Sequence, residues 1–341
     1  MVTLVEALAI LGVVLSLPYL YHLVDFIWLY FLRPTTIHQY LHGAAPYALV
    51  TGATDGIGKA TAAELYDLGF NLILHGRNET KMQKVIDELR ARAKRDIDIR
   101  YMLADATKAG HNFDKLIEPF KDLNITLVIH NVGGSNGVQP ERLVSSATYC
   151  FVAVPAFTCR QLMHIGFYYR LDDRPEEYIH NLVRWNALFP LLLTRVLLPQ
   201  LRRSAKHGPV IVQFVGSLAA DISPPRLPIY AASKRFLEAL TRGLDNDELF
   251  FDGPTGVRFT YLAVGPVNSA SMHQKPSLNT PTSERFAKAI IARTGCGRRR
   301  VAPYAMHAIS QVVVEALGQR AVDYYTAEEM KVLIKHYAKS N

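Results

Sequence analysis

The run Val50-Thr51-Gly52-Ala53-Thr54-Asp55-Gly56-Ile57-Gly58 decides the fold of this chain. It follows Tyr47–Val50, which reads as a strand, and precedes Lys59–Leu68, which reads as a helix. Gly52 permits a tight turn, Gly56 lets the main chain approach a pyrophosphate, and Gly58 lets the helix pack closely on the sheet. The free N–H groups and positive dipole end of that helix favour phosphate oxygens. A glycine pattern alone is weak evidence. With a strand before it and a helix after it, it reads as a dinucleotide-phosphate loop, and Thr51, Thr54, Asp55 and Ile57 belong to the same candidate cofactor cradle.

Outward from the loop, strand-like and helix-like runs alternate. Asn71–His75, Ile97–Leu103, Ile125–His130, Val210–Val215 and Val257–Ala263 read as strands. Glu79–Lys94, Phe113–Leu123, Glu176–Arg202 and Tyr230–Leu249 read as helices. Repeated βα units predict an α/β fold, a doubly wound parallel sheet with helices on both faces. Ligands of such sheets sit at the carboxyl ends of the strands, where the strand order reverses. The second strand ends in His75-Gly76-Arg77-Asn78, with no acid to hold a ribose 2′-hydroxyl. Arg77 can pair with a 2′-phosphate instead, which favours NADP(H) over NAD. Asp105, after the third strand, can accept a hydrogen bond from an adenine amino group. Read alone, Arg77 is also an ordinary solvated loop residue and Asp105 an ordinary turn former.

Tyr230-Ala231-Ala232-Ser233-Lys234 sets a phenol and an ammonium at i and i+4, on one helix face. A free phenol has a pKa near 10, and a neighbouring cation is expected to lower it. Tyr230 then serves as general acid toward a carbonyl, and as base in reverse. Lys234 is also placed to hold ribose hydroxyls. Ser217 lies 13 residues before Tyr230, just past a strand, where its hydroxyl can polarise a carbonyl. Asn186 lies inside the long helix, four residues before Pro190, which has no N–H to give. The Asn186 carbonyl is therefore expected to be free to hold a water leading to Lys234. A proline bend without a role is the competing reading.

The 341 residues suffice for one large core, and 49% hydrophobic against 20% charged residues excludes intrinsic disorder. Three cysteines, Cys150, Cys159 and Cys296, make neither a disulfide framework nor a zinc site, so a reducing compartment is expected and a metal is not. The net charge is +8, with basic clusters at Arg90–Arg95, Arg202–Lys206 and Arg298–Arg300. Such clusters suit an anionic membrane or a phosphate-bearing ligand, or are plain solvated helix ends. No motif joins them into a nucleic-acid surface.

Residues 1–33 are expected to form a membrane anchor. Ala7–Val24 is 18 residues without a formal charge, and Phe26–Leu32 extends it to Arg33-Pro34. Pro18 and Asp25 are expected to bend or tilt it. Tyr19, Tyr21, Trp28 and Tyr30 suit a headgroup layer. A cleaved signal peptide would want positive charge before the apolar run, and there is none. The first positive charge follows the run, which favours the remaining chain on the cytosolic side. Val144–Tyr169, in an insertion near 140–172, is rich in aromatic and small apolar residues. It reads as a lid or lipid-facing flap, as a plain insertion, or as translated intron. Residues 321–341 read as a helical tail.

Taken together, the loop Thr51–Gly58, His130-Asn131-Val132-Gly133, Asn186, Ser217, Tyr230 and Lys234 resemble the short-chain dehydrogenase/reductase family. Gly265-Pro266-Val267-Asn268-Ser269 resembles that family's nicotinamide-side turn. The resemblance covers residues 45–320 and implies a single Rossmann-type domain with a catalytic tetrad of Asn186, Ser217, Tyr230 and Lys234. It also implies cofactor contacts at Asn131, Pro266, Val267 and Ser269, besides the loop residues, Tyr230 and Lys234. His130 stands where the family usually has Asn. The apolar N-terminus, Ser283-Glu284-Arg285-Phe286-Ala287 and Pro303-Tyr304 are similar to the membrane-anchored branch of very-long-chain 3-oxoacyl-CoA reductases and 17β-hydroxysteroid dehydrogenases. That branch implies NADPH-dependent ketone reduction on a lipid-like substrate at the endoplasmic reticulum, with 3-oxoacyl-CoA first. A sterol, steroid or secondary-metabolite ketone is the alternative, and an inactive binding fold a third. Members of the family are often dimers.

Overall fold

The computed structural model describes residues 3–92, 97–135, 170–251, 253–269 and 275–339. The expected flap at Val144–Tyr169 lies outside the described residues.

Seven strands make one parallel sheet: β1 Tyr47–Thr51, β2 Asn71–Gly76, β3 Ile99–Leu103, β4 Ile125–His130, β5 Val210–Val215, β6 Val257–Leu262 and β7 Arg300–Val301. Their order is β3-β2-β1-β4-β5-β6-β7, so the order reverses between β1 and β4. β1, β4 and β5 are buried at every position, as a parallel sheet covered on both faces requires. Side chains alternate between the two cores. Ala48 and Val50 face one core, and Tyr47 and Leu49 the other.

The first core is closed by α2 (Gly56–Leu68), α3 (Glu79–Ala91) and α9 (Ser283–Arg293), through Leu65, Met82, Val85, Phe286 and Ile290. The second is closed by α4 (Phe113–Ile117), α6 (Phe189–Ser204) and α8 (Pro228–Asn246), through Phe189, Leu193, Leu197 and Leu237. Helix ends follow local chemistry. Asp55 caps α2, Asn78 caps α3, and Gly69 ends α2 at φ +99°. Pro119 sits in the first turn of the 3₁₀ segment Glu118–Phe120, and α4 ends before it, short of the expected Leu123. The expected long helix is α5 (Glu176–Val183) running on into α6 through a π-helical turn at Arg184–Leu188.

α1 (Leu4–Ile27) passes Pro18 unbroken and runs into a π-helical turn, Trp28–Leu32. The stretch Leu4–Leu32 is long and apolar enough to cross a membrane, and its most apolar window buries nothing against the rest of the chain. Its far end is tied down: Asp25 pairs with Arg298, and Arg293 donates to the Tyr30 oxygen at 2.8 Å. Five short or terminal elements complete the described chain: a 3₁₀ turn at Ile37–Tyr40, α7 (Ala219–Ile222), a π-helical turn at Asp247–Phe251, α10 (Ala305–Leu317) and α11 (Gln319–Lys339).

Candidate active site

The phosphate loop leaves β1 at the point where the sheet order reverses. Gly52 takes φ +65°, a conformation that disfavours any side chain. A Cβ at Gly58 would lie 2.2 Å from the Gly52 oxygen and 2.5 Å from Asn131 Nδ2, so only glycine lets α2 sit this close. The Thr51 hydroxyl accepts from the N–H groups of Asn131 and Val132, at 3.0 and 3.1 Å, and locks β1 to the end of β4. Asn131 Nδ2 donates to the Gly52 oxygen at 3.3 Å. Thr51 and Asn131 thus brace the loop from behind. Thr54 packs over Gly76, and Asp55 accepts from the Gly56 N–H at 2.8 Å as the helix cap. Ile57 packs against the first core.

His75 is a further brace. Its Nδ1 accepts a long hydrogen bond from the Gly52 N–H at 3.4 Å, so Nε2 carries the hydrogen to the Ala104 oxygen at 3.1 Å. Burial lowers its pKa to about 4, so it stays neutral at ordinary pH. Arg77 and Asp105 flank the ends of β2 and β3 and face each other in a long ion pair, 3.8 Å. An exposed guanidinium at this rim, and a loop that only glycine can form, fit the adenosine phosphates of a dinucleotide.

Deeper in the cleft, α8 carries Tyr230 and Lys234 one turn apart, with the Lys234 Nζ 5.8 Å from the Tyr230 ring centroid. Lys234 is buried and donates to the Val215 oxygen at 2.9 Å. Burial brings its pKa down to about 8. Ser217 follows β5, and its hydroxyl accepts from the Ala219 N–H at 3.1 Å. The expected lowering of the Tyr230 pKa by Lys234 does not occur here. Desolvation of the phenol raises the pKa, and only the Ser217 hydroxyl opposes it.

Asn186 is fully buried in the π-helical turn. Its side-chain amide ties the turn after β4 to this helix. Nδ2 donates to the Gly134 and Leu182 oxygens at 2.9 and 3.1 Å, and Oδ1 accepts from the Gly134 N–H at 3.0 Å. A Cβ at Gly133, where φ is +149°, would lie 2.6 Å from Asn186 Oδ1 and 3.0 Å from Lys234 Nζ. Gly133 is therefore the gap through which Asn186 and Lys234 meet the end of β4. A π-turn bulges the helix, a frequent feature at functional sites, and here it precedes Pro190.

Three residues escaped the sequence reading. Tyr261, on β6, bridges the main chain of Ser217 with its phenol. Gly216 makes room for it, since a Cβ there would lie 2.0 Å from the Tyr261 ring. His307 clamps the turn at Gly265–Ser269: Nδ1 accepts from the Gly265 N–H at 3.1 Å, and Nε2 reaches the Pro266 oxygen at 3.1 Å. Burial lowers its pKa and keeps it neutral. Val267 is buried in the first core beside this turn, Pro266 is exposed, and Ser269 follows at the rim.

A family model described as short chain dehydrogenase matches residues 46–157 and 169–279. The very-long-chain 3-oxoacyl-CoA reductase of Kluyveromyces lactis is 27% identical over 81% of this chain and 73% of its own length. The very-long-chain 3-oxoacyl-CoA reductase-B of Danio rerio is 27% identical over 80% of this chain and 75% of its own. Among solved structures, a short-chain dehydrogenase from Sphingobium yanoikuyae in complex with NADPH superposes with a TM-score of 0.56. It has 18% identity, covering 76% of this chain and 87% of that one, and so shares the fold.

Proposed function

The chain belongs to the short chain dehydrogenase family, and on that premise we propose that it is a membrane-anchored, NADPH-dependent reductase of 3-oxoacyl-CoA. It is an oxidoreductase acting between C=O and CH–OH with a nicotinamide cofactor. The finer reading is carried by one observation. The Tyr230 phenol lies within the influence of the Ser217 hydroxyl, with buried Lys234 one turn along the same helix, at the carboxyl end of β5.

The cofactor, when bound, supplies the hydride. Everything else falls to the chain. The Ser217 hydroxyl is placed to hold the substrate oxygen and polarise the carbonyl. The Tyr230 phenol, with its pKa raised, stays protonated near neutral pH and is loaded to give its proton to that oxygen. Reduction is thus the direction in which the resting site is prepared. Lys234, held on the Val215 oxygen one turn from the phenol, would hold the cofactor's ribose hydroxyls as an ammonium, and Asn186 fixes the Gly133-Gly134 turn against it. The braced glycine loop, with Arg77 at its rim, takes the dinucleotide phosphates, and Arg77 selects the 2′-phosphate.

The acyl-CoA substrate is supported by the names of the relatives, and the membrane by α1. An elongation enzyme of this kind would sit in the endoplasmic reticulum with its domain in the cytosol. Turnover tests the substrate. The full chain in membranes, given NADPH, is expected to reduce long-chain 3-oxoacyl-CoA faster than a panel of ketosteroids. The reverse preference would assign it to steroid or sterol reduction.

A further inference from the structure

Two basic clusters, Arg202–Lys206 and Arg298–Arg300, have no part in the chemistry above. The fold brings both to one place. Arg202, at the end of α6, pairs with the buried carboxylate of Glu248, which lies in the π-helical turn Asp247–Phe251 after α8. Arg299 pairs with buried Asp245, at the end of α8, and its guanidinium lies 5.7 Å from the Phe250 ring centroid. One member of each cluster, Arg202 and Arg299, therefore closes on that turn, while Arg298 is turned to Asp25 and Arg300 to Asp221. The tip carries Phe250 and Phe251, which are 69% and 83% exposed.

The position of this corner matters. Arg202–Lys206 precede β5, Phe250-Phe251 precede β6, and Arg298 and Arg299 precede β7. All lie at the amino ends of the strands, opposite the cleft. α1 leaves the domain at the same edge. Its last tie is Asp25 to Arg298, and Arg33 and Thr36 bond the Gly295 and Thr294 oxygens on the same connection. Arg298 and Arg299 are consecutive, so the tie to α1 and the contact with Phe250 are made from one connection at this edge.

We propose that Phe250 and Phe251 insert into the bilayer that α1 enters, with the surrounding cations on its anionic headgroups, so that the domain sits on the membrane by this corner. The inference rests on the anchoring proposed for α1. The chemistry is that of an interfacial contact: aromatic side chains enter the headgroup–acyl boundary while Arg and Lys meet lipid phosphates. Arg203 gives its hydrogen bond to a main-chain oxygen, that of Lys121 at 3.0 Å, and has no carboxylate partner among the described residues, and Lys206, three residues on, is exposed. The buried partners Asp245 and Glu248 hold Arg299 and Arg202 in place around the tip rather than covering it.

The test uses the full chain in phosphatidylcholine–phosphatidylserine vesicles, with Cys150, Cys159 and Cys296 replaced by serine. A polarity-sensitive dye is attached at Phe251→Cys, at Phe250→Cys as a second site, at Ile10→Cys in α1, and at Tyr324→Cys on exposed α11. Each labelled chain must keep the parent's thermal midpoint. The dyes at 250 and 251 are expected to shift blue, to be quenched by spin-labelled lipid, and to be shielded several-fold from aqueous iodide relative to the dye at 324. Arg203→Glu with Lys206→Glu should weaken lipid quenching at 251 and leave it unchanged at 10. Lipid quenching at 10 with free iodide access at 250 and 251 would overturn the proposal and leave the anchor standing. Shielding at 250 and 251 from both quenchers would assign the corner to a second copy of the chain and also overturn it. No lipid quenching at 10 would remove the anchor and this inference with it.

Discussion

The Tyr261 phenol holds the main chain of Ser217 at both ends: its oxygen accepts from the Ser217 N–H at 2.9 Å, and its hydrogen goes to the Ser217 carbonyl at 3.0 Å. The Ser217 side chain meets Tyr230 from a peptide pinned by a residue that never reaches the cleft. Tyr261→Phe keeps the ring and leaves two main-chain groups without their partner. Stability should fall by about 2 kcal/mol. Turnover should fall about tenfold, since small misplacement of a reacting group is costly. In a Ser217→Ala background, the same change should cost no more than about twofold further, because the two residues act as one unit. An undiminished loss in that background would make Tyr261 a structural residue only.

Arg77 is the residue proposed to select the cofactor. Its ion pair with Asp105 is long, 3.8 Å, so the guanidinium is open to a tighter partner. Arg77→Glu is expected to weaken NADPH at least about tenfold, or 1.4 kcal/mol, and to spare NADH. Fluorescence titration of each cofactor measures this. Equal losses would undo the assignment to NADP(H).

The pH profile follows from Lys234. Burial sets its pKa to about 8, so the ammonium is complete below that value and is lost as pH rises through it. Tyr230, with its pKa raised, stays protonated over the same range. The kcat/KM for ketone reduction, which reports the free enzyme, should be level near neutral pH and decline through about pH 8. A profile that keeps rising past that point would contradict the role given to the lysine.

His130 links stability to acid. It is buried at the end of β4, stacked on Phe214 with ring centroids 4.9 Å apart, and its Nε2 lies 2.9 Å from the Thr194 hydroxyl. Burial lowers its pKa to about 3, against 6.5 unfolded. Its folded pKa is the lower one. The stability it contributes is therefore complete above 6.5 and is lost as pH falls toward 3, because the unfolded chain takes up the proton first. One such histidine costs about 1.4 kcal/mol for each pH unit below 6.5. His130→Asn should lose less stability than the parent between pH 7 and pH 5, by about 2 kcal/mol, in chemical denaturation. Parallel curves would show that the ring is not held neutral.

The order of strands and helices was legible because buried parallel strands are continuous apolar runs. Ile125–His130 and Val210–Val215 stand where the hydropathy places them. β7 was not legible: it is two residues, Arg300–Val301, and pairs only through Tyr261 and Leu262. Tyr230 and Lys234 could be found because their relation is one turn of helix. Tyr261 and His307 could not, because their partners lie 44 and 42 residues away in sequence. The expected low pKa of Tyr230 failed for a related reason. Spacing reveals a nearby charge, but not that the half-buried phenol is desolvated and that the ammonium is turned to the Val215 oxygen.

The most direct measurement is turnover and NADPH affinity of Tyr230→Phe. This change removes one oxygen and leaves the ring, the glycine loop and Arg77 in place. NADPH should bind as before, while ketone reduction should fall by at least about a hundredfold, as expected for a lost proton donor. Turnover at the parent rate would contradict the transfer of a proton from this phenol.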